Sequence, residues 1–185
     1  MNMSIPRFVV AIGVGFFICA MSSCLPDEMT REANRPFFDL TGFIKQSIAD
    51  SHYVTVNKTV DIGGVSETKE IKDYAFWDDL KRFESFDINR PALYDKYVVD
   101  TLEENNYKVY RHTAKDPKMH VQSMEIRIEE DDIVKIDVRS QSQSFLENLD
   151  ILFTWIPEET YSYQKWSDKL FSEREEQKVT VTFLK

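Results

Sequence analysis

The chain has 185 residues, of which 42% are hydrophobic and 13% aromatic, with five glycines and six prolines. This composition excludes disorder along the whole chain, and the length suits one domain rather than a two-domain enzyme. The formal net charge is −9, and it becomes 22 − 32 = −10 without residues 1–23, whose only charge is Arg7. Such an acidic chain is unsuited to gripping phosphate backbones, so general nucleic-acid binding is largely excluded.

The first 23 residues have the anatomy of a secretory signal peptide. The cation Arg7 precedes a run of 13 apolar residues, Phe8–Ala20, and small residues follow. The run is shorter than the about 20 residues that a membrane-spanning helix needs. A removable export signal is therefore favoured over an uncleaved membrane anchor.

Ser22-Ser23-Cys24, at the end of this segment, resembles the lipobox of bacterial lipoproteins. The resemblance implies that Cys24 receives a diacylglyceryl group and becomes the first residue after cleavage. Several acyl chains on Cys24, palmitate among them, would hold the protein stably in a membrane. Because Cys19 lies in the discarded segment, no thiol would remain for a disulfide, a zinc site or a nucleophile.

The residues after Cys24 indicate a tether and a location. Asp27-Glu28 resembles the acidic export signal of surface lipoproteins of Bacteroidota. This implies a lipid anchor in the outer membrane, with the periplasmic and cell-surface sides both left open. Residues 24–36 are polar and bounded by proline, which is typical of a tether, and residues 37–185 are expected to form a single domain.

Apolar spacing predicts the first elements of this domain in chain order. Intervals of three and four residues predict a helix through Phe37, Leu40, Ile44 and Ile48. From Tyr53 the period changes to two, and Gly63-Gly64 between two alternating runs predicts a β-hairpin. Asp73 is expected to cap a second helix that carries the apolar residues Phe76, Trp77, Leu80 and Phe83.

Alternating runs continue to the C-terminus and predict antiparallel strands separated by short turns. One face of such a sheet needs an apolar cover, which the helices can supply. The predicted fold class is α+β, a mainly antiparallel β-meander of about six to eight strands with two helices packed on one face. The whole pattern resembles small uncharacterised envelope lipoproteins of Bacteroidota, a likeness that implies no particular activity.

The aromatic strip near the end of the chain is the main candidate for ligand binding. A turn centred on Glu158 would place Trp155 opposite Tyr161 and Phe153 opposite Tyr163. Core packing beneath the helices is the favoured interpretation of these rings. The alternative is an exposed platform for a glycan or a protein partner.

Two clusters raise the possibility of a metal site. If residues 113–119 form a hairpin loop, His112 and His120 face each other with about 5 Å between their β-carbons. Zinc needs three or four ligands and no third is placed, so two exposed polar residues are favoured. The acidic segment 129–132 lacks the spacing of a calcium loop and is interpreted as a solvated turn. No metal and no cofactor is predicted.

Asp100-Thr101-Leu102 matches the short O-glycosylation pattern of Bacteroidota, which makes Thr101 a candidate glycosylation site. Common catalytic motifs are missing, so no catalytic residue is predicted. The expected function is that of a non-enzymatic envelope lipoprotein that binds an envelope protein or a glycan and contacts the membrane through the lipid on Cys24. The alternatives are a carrier of an apolar ligand in a pocket between sheet and helices, and a hydrolase of unrecognised type.

Overall fold

The computed structural model describes residues 36–49, 54–104 and 106–184. The predicted signal peptide, Cys24 and the tether up to residue 35 lie outside these residues. The described residues form two α-helices, α1 (Leu40–Ala49) and α2 (Phe76–Leu80), and two 3₁₀ segments, Lys81–Phe86 and Pro91–Leu93. They also form nine strands: β1 (Val54–Ile62), β2 (Val65–Tyr74), β3 (Tyr97–Glu104), β4 (Tyr107–Ala114), β5 (Val121–Glu129), β6 (Asp132–Gln143), β7 (Glu147–Ile156), β8 (Thr160–Lys169) and β9 (Glu175–Leu184).

The nine described strands belong to one antiparallel sheet in the order β2-β1-β9-β8-β7-β6-β5-β4-β3. The predicted combination of an antiparallel sheet with two helices is confirmed in outline, but both helices are short and the predicted six to eight strands are too few. The number is higher because the β1–β2 hairpin joins the same sheet as the meander β3–β9. It does so by pairing β1 with the last strand, β9.

The antiparallel order places successive turns at opposite ends of the sheet. One end, which we call the tip end, carries the turns that follow β1, β4, β6 and β8. The other, the far end, carries the turns that follow β3, β5 and β7. The turn after β1 is the predicted Gly63-Gly64 hairpin, and the two glycines have φ values of 58° and 84°. Glycine adopts such values without the steric penalty that a β-carbon brings.

The core lies between one face of the sheet and the helical segments. Leu40 and Ile44 of α1 are completely buried, and so is Leu80 of α2. The ring of Phe83, in the first 3₁₀ segment, stacks on Phe153 with 3.6 Å between centroids. The strands contribute the remaining core side chains, which include Val56, Met124, Ile126, Ile136, Val138, Trp155, Tyr161 and Val181.

The second helix begins differently from the prediction. The expected cap, Asp73, still belongs to β2 and has a φ of 51°, so the prediction of its capping role is wrong. The N-cap is Ala75, which makes no side-chain hydrogen bond. The β2 pairing with β1 continues to Tyr74 and thereby delays the start of the helix. Neither α-helix of the described residues is long and apolar enough to cross a membrane.

Candidate functional site

The predicted aromatic strip lies in the core. Its predicted register is confirmed, since Trp155 pairs with Tyr161 and Phe153 with Tyr163. Phe153, Trp155 and Tyr161 are at most 2% exposed, while Tyr163 is half-buried. Helix α1 reaches the strip through Phe43, whose ring centroid lies 5.0 Å from that of Trp155. The strip therefore holds the helices on the sheet, and three of its rings have no exposed face to offer to a ligand.

The two candidate histidines do not face each other, so the predicted pair is wrong. The register of β4 and β5 places His112 opposite Met124. His120 is exposed in the connection between these strands, with its ring 6.0 Å from that of Phe86. The connection runs from residue 115 to 120. His120 is its last residue and therefore does not pair with a residue of β4. Within the part of the chain that the structure describes, no group of three or more potential ligands could hold a metal ion.

His112 is instead a core residue. It is 2% exposed, and the ring of Phe37 meets it edge-on at 5.5 Å. Its Nδ1 atom has no hydrogen-bond partner among the described residues. Burial lowers the pKa of His112 below 6.5, against the opposing effect of a hydrogen bond with the backbone of Met124. The folded protein therefore favours the neutral imidazole.

We expect His112 to make the folded protein sensitive to mild acid. Because its folded pKa is lowered, its contribution is complete above the unfolded value of about 6.5 and declines as the pH falls through that value. The free energy of unfolding should therefore fall through this group as the pH is lowered from 7.5 to 5.5. Urea unfolding of wild type and H112F at both pH values measures this loss as the difference between their pH dependences. H120Q is the control, and equal pH dependence in H112F and wild type would refute the assignment.

Two other sequence candidates lie at the surface. Glu130 and Asp131 form the β5–β6 turn with φ values of 49° and 74°, and both are exposed. This agrees with the interpretation of the acidic segment as a solvated turn. Thr101 is exposed on β3, an edge strand of the sheet, and its glycosylation remains a prediction.

A cluster of four polar side chains joins α2 to three strands. We call it the Asp79 cluster, and it consists of Lys58, Tyr74, Asp79 and Tyr161. The Oδ2 atom of Asp79 accepts hydrogen bonds from the Tyr161 hydroxyl at 2.7 Å, from the Lys58 ammonium at 3.3 Å and from the Tyr74 hydroxyl. Lys58 also donates to the Tyr74 hydroxyl oxygen at 2.7 Å. One carboxylate thus ties β1, β2, β8 and α2 together.

The pKa shifts in the Asp79 cluster fit a structural role better than a role in proton transfer. Partial burial opposes the charge of Asp79, but the hydrogen bonds from Tyr74 and Tyr161 and the charge of Lys58 outweigh it and lower its pKa. Burial raises the pKa of Tyr161, and its hydrogen bonds raise it further. Burial opposes the charge of Lys58, but Tyr74 and Asp79 outweigh it and raise its pKa. The pKa values of all three groups are shifted away from neutral pH, whereas a general acid or base needs a pKa near neutral pH.

The feature best suited to contact another molecule is an apolar surface at the tip end. Among the described residues, three neighbouring turns expose six large hydrophobic side chains by 53–91%. We call this surface the tip patch: Ile62 and Val65 at the β1–β2 turn, Phe145 and Leu146 at the β6–β7 turn, and Leu170 and Phe171 at the β8–β9 turn. The three other exposed large hydrophobics of the described residues are Val98, Val99 and Leu184. The concentration in three neighbouring turns is what distinguishes the tip patch from scattered surface residues.

Backbone hydrogen bonds fix these turns to one another. Leu170 donates its N–H to the carbonyl of Leu146 at 3.1 Å, and Gly63 donates to the carbonyl of Glu176 at 3.0 Å. Leu146, Leu170 and Phe171 help to line a shallow cavity of about 340 Å³ between two of the turns. Neighbouring strands are about 4.8 Å apart, so the three turns span roughly 20 Å. The three turns of the tip patch therefore lie side by side at one end of the sheet.

A polar groove lies beside the tip patch on the sheet face opposite the helices. It has a volume of about 210 Å³, and its walls include Trp166, Asn148, Asp150, Asp168 and Arg174. Trp166 and Asp168 flank the buried Ser167 along β8, and alternation turns them to the outer face. Amide, carboxylate and guanidinium groups beside an aromatic ring suit a ligand rich in hydroxyl groups.

Sequence reasoning missed both the tip patch and the Asp79 cluster. A signal for the patch exists in the doublets Phe145-Leu146 and Leu170-Phe171, which lie beside serines where strand alternation breaks. A turn has no side that faces the core, so two adjacent apolar residues in a turn stay exposed. No comparable signal marks the Asp79 cluster, because Asp79 and Tyr161 are 82 residues apart.

Comparison with protein-family models, with curated proteins and with solved structures finds no match for the chain.

Proposed function

We propose that the protein is an outer-membrane lipoprotein of the cell envelope, anchored by acyl chains on Cys24, that acts as a non-enzymatic binding or interaction module. The anchor is supported by the sequence, in which a 13-residue apolar run and small residues precede Cys24. The observation that carries the binding role is the tip patch, with its six exposed hydrophobic side chains at three connected turns.

The tip patch supports binding because monomeric soluble proteins rarely expose large contiguous apolar surfaces. Phe145 and Phe171 are 86% and 91% exposed, although each would gain stability from burial. They lie outside the core cluster, so packing of the fold does not account for them. Contact with a second surface would bury them.

An envelope protein or a glycan is the class of partner that this module would recognise. A glycan is favoured by the polar groove, where Trp166 lies beside hydrogen-bonding side chains next to the tip patch. The carrier function has weaker support, because the space between helices and sheet is filled where Phe83 stacks on Phe153 and Phe43 contacts Trp155.

The anchor is tested by replacing its cysteine in the full-length chain. Wild type should incorporate labelled palmitate, and its intact mass should correspond to a chain that starts at Cys24 plus acyl groups. C24A should lose at least nine-tenths of the label, because the thiol that receives the diacylglyceryl group is gone. Labelling and mass spectrometry of protein from its own membranes measure both effects.

C19A is the matched control, since Cys19 lies only five positions earlier, within the apolar run. It should be labelled and processed like wild type. Palmitate on C24A, or loss of label in C19A alone, would overturn the anchor. Protease treatment of intact cells then distinguishes a cell-surface from a periplasmic location.

A further inference from the structure

We infer that the tip patch docks on the lipid bilayer in which the protein is anchored, so that the domain stands on the membrane with its tip end down. This inference rests on the proposed function, since it takes Cys24 as the anchored residue. It takes a lipid surface as what the tip patch contacts and leaves the polar groove to the glycan or envelope protein. The argument depends on where the chain enters the domain, how long the tether is and which charges surround the patch.

The described chain begins at the tip end of the sheet. Phe37 follows directly after Pro36, and its ring lies 5.7 Å from that of Tyr97 and 5.5 Å from that of His112. Tyr97 is the first residue of β3 and pairs with Ala114, the last residue of β4. The starts of odd-numbered strands from β3 onward lie at the same end as the turns after β6 and β8. The tether therefore joins the domain on the side of the tip patch.

The tether length favours this orientation. Eleven residues, 25–35, lie between Cys24 and the first described residue, Pro36. Fully extended, the stretch from Cys24 to Pro36 would reach at most about 40 Å. If the far end faced the membrane, the tether would have to run along strands of about ten residues, which are roughly 33 Å long. If the tip end faces the membrane, the same tether is longer than the distance it has to span.

The chemistry of the tips suits the interface of a bilayer. The apolar side chains stand at the extreme ends of turns, where they can enter a membrane without unfolding a strand. Lys169 is paired with Glu175 at 2.8 Å, and Asp61 and Glu147 flank the other two turns. With both signs of charge present, apolar insertion rather than attraction to anionic lipid would drive the contact. Anchoring through Cys24 raises the local concentration, so a weak contact suffices.

Site-directed spin labelling of the acylated mature chain tests the docking. After removal of Cys19 with the signal and acylation of Cys24, an introduced cysteine is the only free thiol. F145C and F171C place a label in the tip patch, and E159C places one at the exposed far-end turn. The labelled proteins are reconstituted in phosphatidylcholine vesicles. Collision rates with oxygen, which enters the bilayer, and with a water-soluble nickel chelate are then compared.

We expect the labels at positions 145 and 171 to favour oxygen and the label at 159 to favour the chelate, by at least threefold in the ratio of the two rates. Equal, water-like ratios at all three positions would overturn the docking. So would immobilisation of the tip labels in native outer-membrane vesicles but not in pure lipid, which would assign the patch to a protein partner. Intact mass of the same samples separates the two proposals. An unacylated chain contradicts the anchor, whereas an acylated chain with its tips in water contradicts only the docking.

Discussion

The F153A variant should lose about 3–5 kcal/mol of its free energy of unfolding, the largest effect that we expect from a single substitution. Phe153 is completely buried and lies under the ring of Phe83 at 3.6 Å, with 18° between the ring planes. Truncation removes this stack and leaves a cavity in the layer between the sheet and the first 3₁₀ segment. Urea unfolding followed by circular dichroism measures the loss.

The matched control is F145A, because Phe145 is the same residue type at 86% exposure. Its free energy of unfolding should stay within about 0.5 kcal/mol of wild type. If F153A fails to fold, F153L provides the milder case and should lose about 1–2 kcal/mol. A loss below 1 kcal/mol in F153A would contradict the assignment of the aromatic strip to the core.

Local patterns in the sequence predict much of this fold. In β7 and β8, aromatic residues alternate with polar ones on both sides of Pro157-Glu158-Glu159, and this alternation gives the pairing of Trp155 with Tyr161. The double glycine gives the first hairpin in the same way. Each of these features depends on residues that are close in the chain, where period and turn chemistry act together.

The features that sequence reasoning missed depend on longer loops or on contacts between distant segments. His112 lies in β4 and His120 ends the connection that follows it. The length of this connection, residues 115–120, sets the register between β4 and β5, and the hydrophobic period does not report that length. The pairing of β1 with β9 joins opposite ends of the chain, and no local pattern specifies it. Alternation predicts which side chains face the core within a strand, but it says nothing of apolar side chains in turns, such as Phe171.

Removal of the Asp79 carboxylate should have the second largest effect on the free energy of unfolding that we expect from a single substitution. D79A should cost about 2–3 kcal/mol, because it leaves the hydroxyl of Tyr161 without its acceptor and removes the carboxylate that faces the ammonium of Lys58. D79N keeps the shape of the side chain and loses the charge, so its cost should be about half as large. Urea unfolding at pH 7 measures these differences. A cycle with Y161F should give a coupling of about 1 kcal/mol between the two side chains.

The adjacent Asp78 supplies the control for the Asp79 variants. Its side chain is 68% exposed, against 20% for Asp79, and it lies 3.6 Å from Lys81 one helical turn away. D78A should therefore cost less than about 0.5 kcal/mol. The folded pKa of Asp79 is lowered, so its contribution is complete above the unfolded pKa and is lost as the pH falls through the folded value. The difference between wild type and D79N should accordingly shrink between pH 7 and pH 3. If D79A and D78A cost the same, or if the D79N difference is unchanged in acid, the cluster does not hold α2 on the sheet through the charge of Asp79.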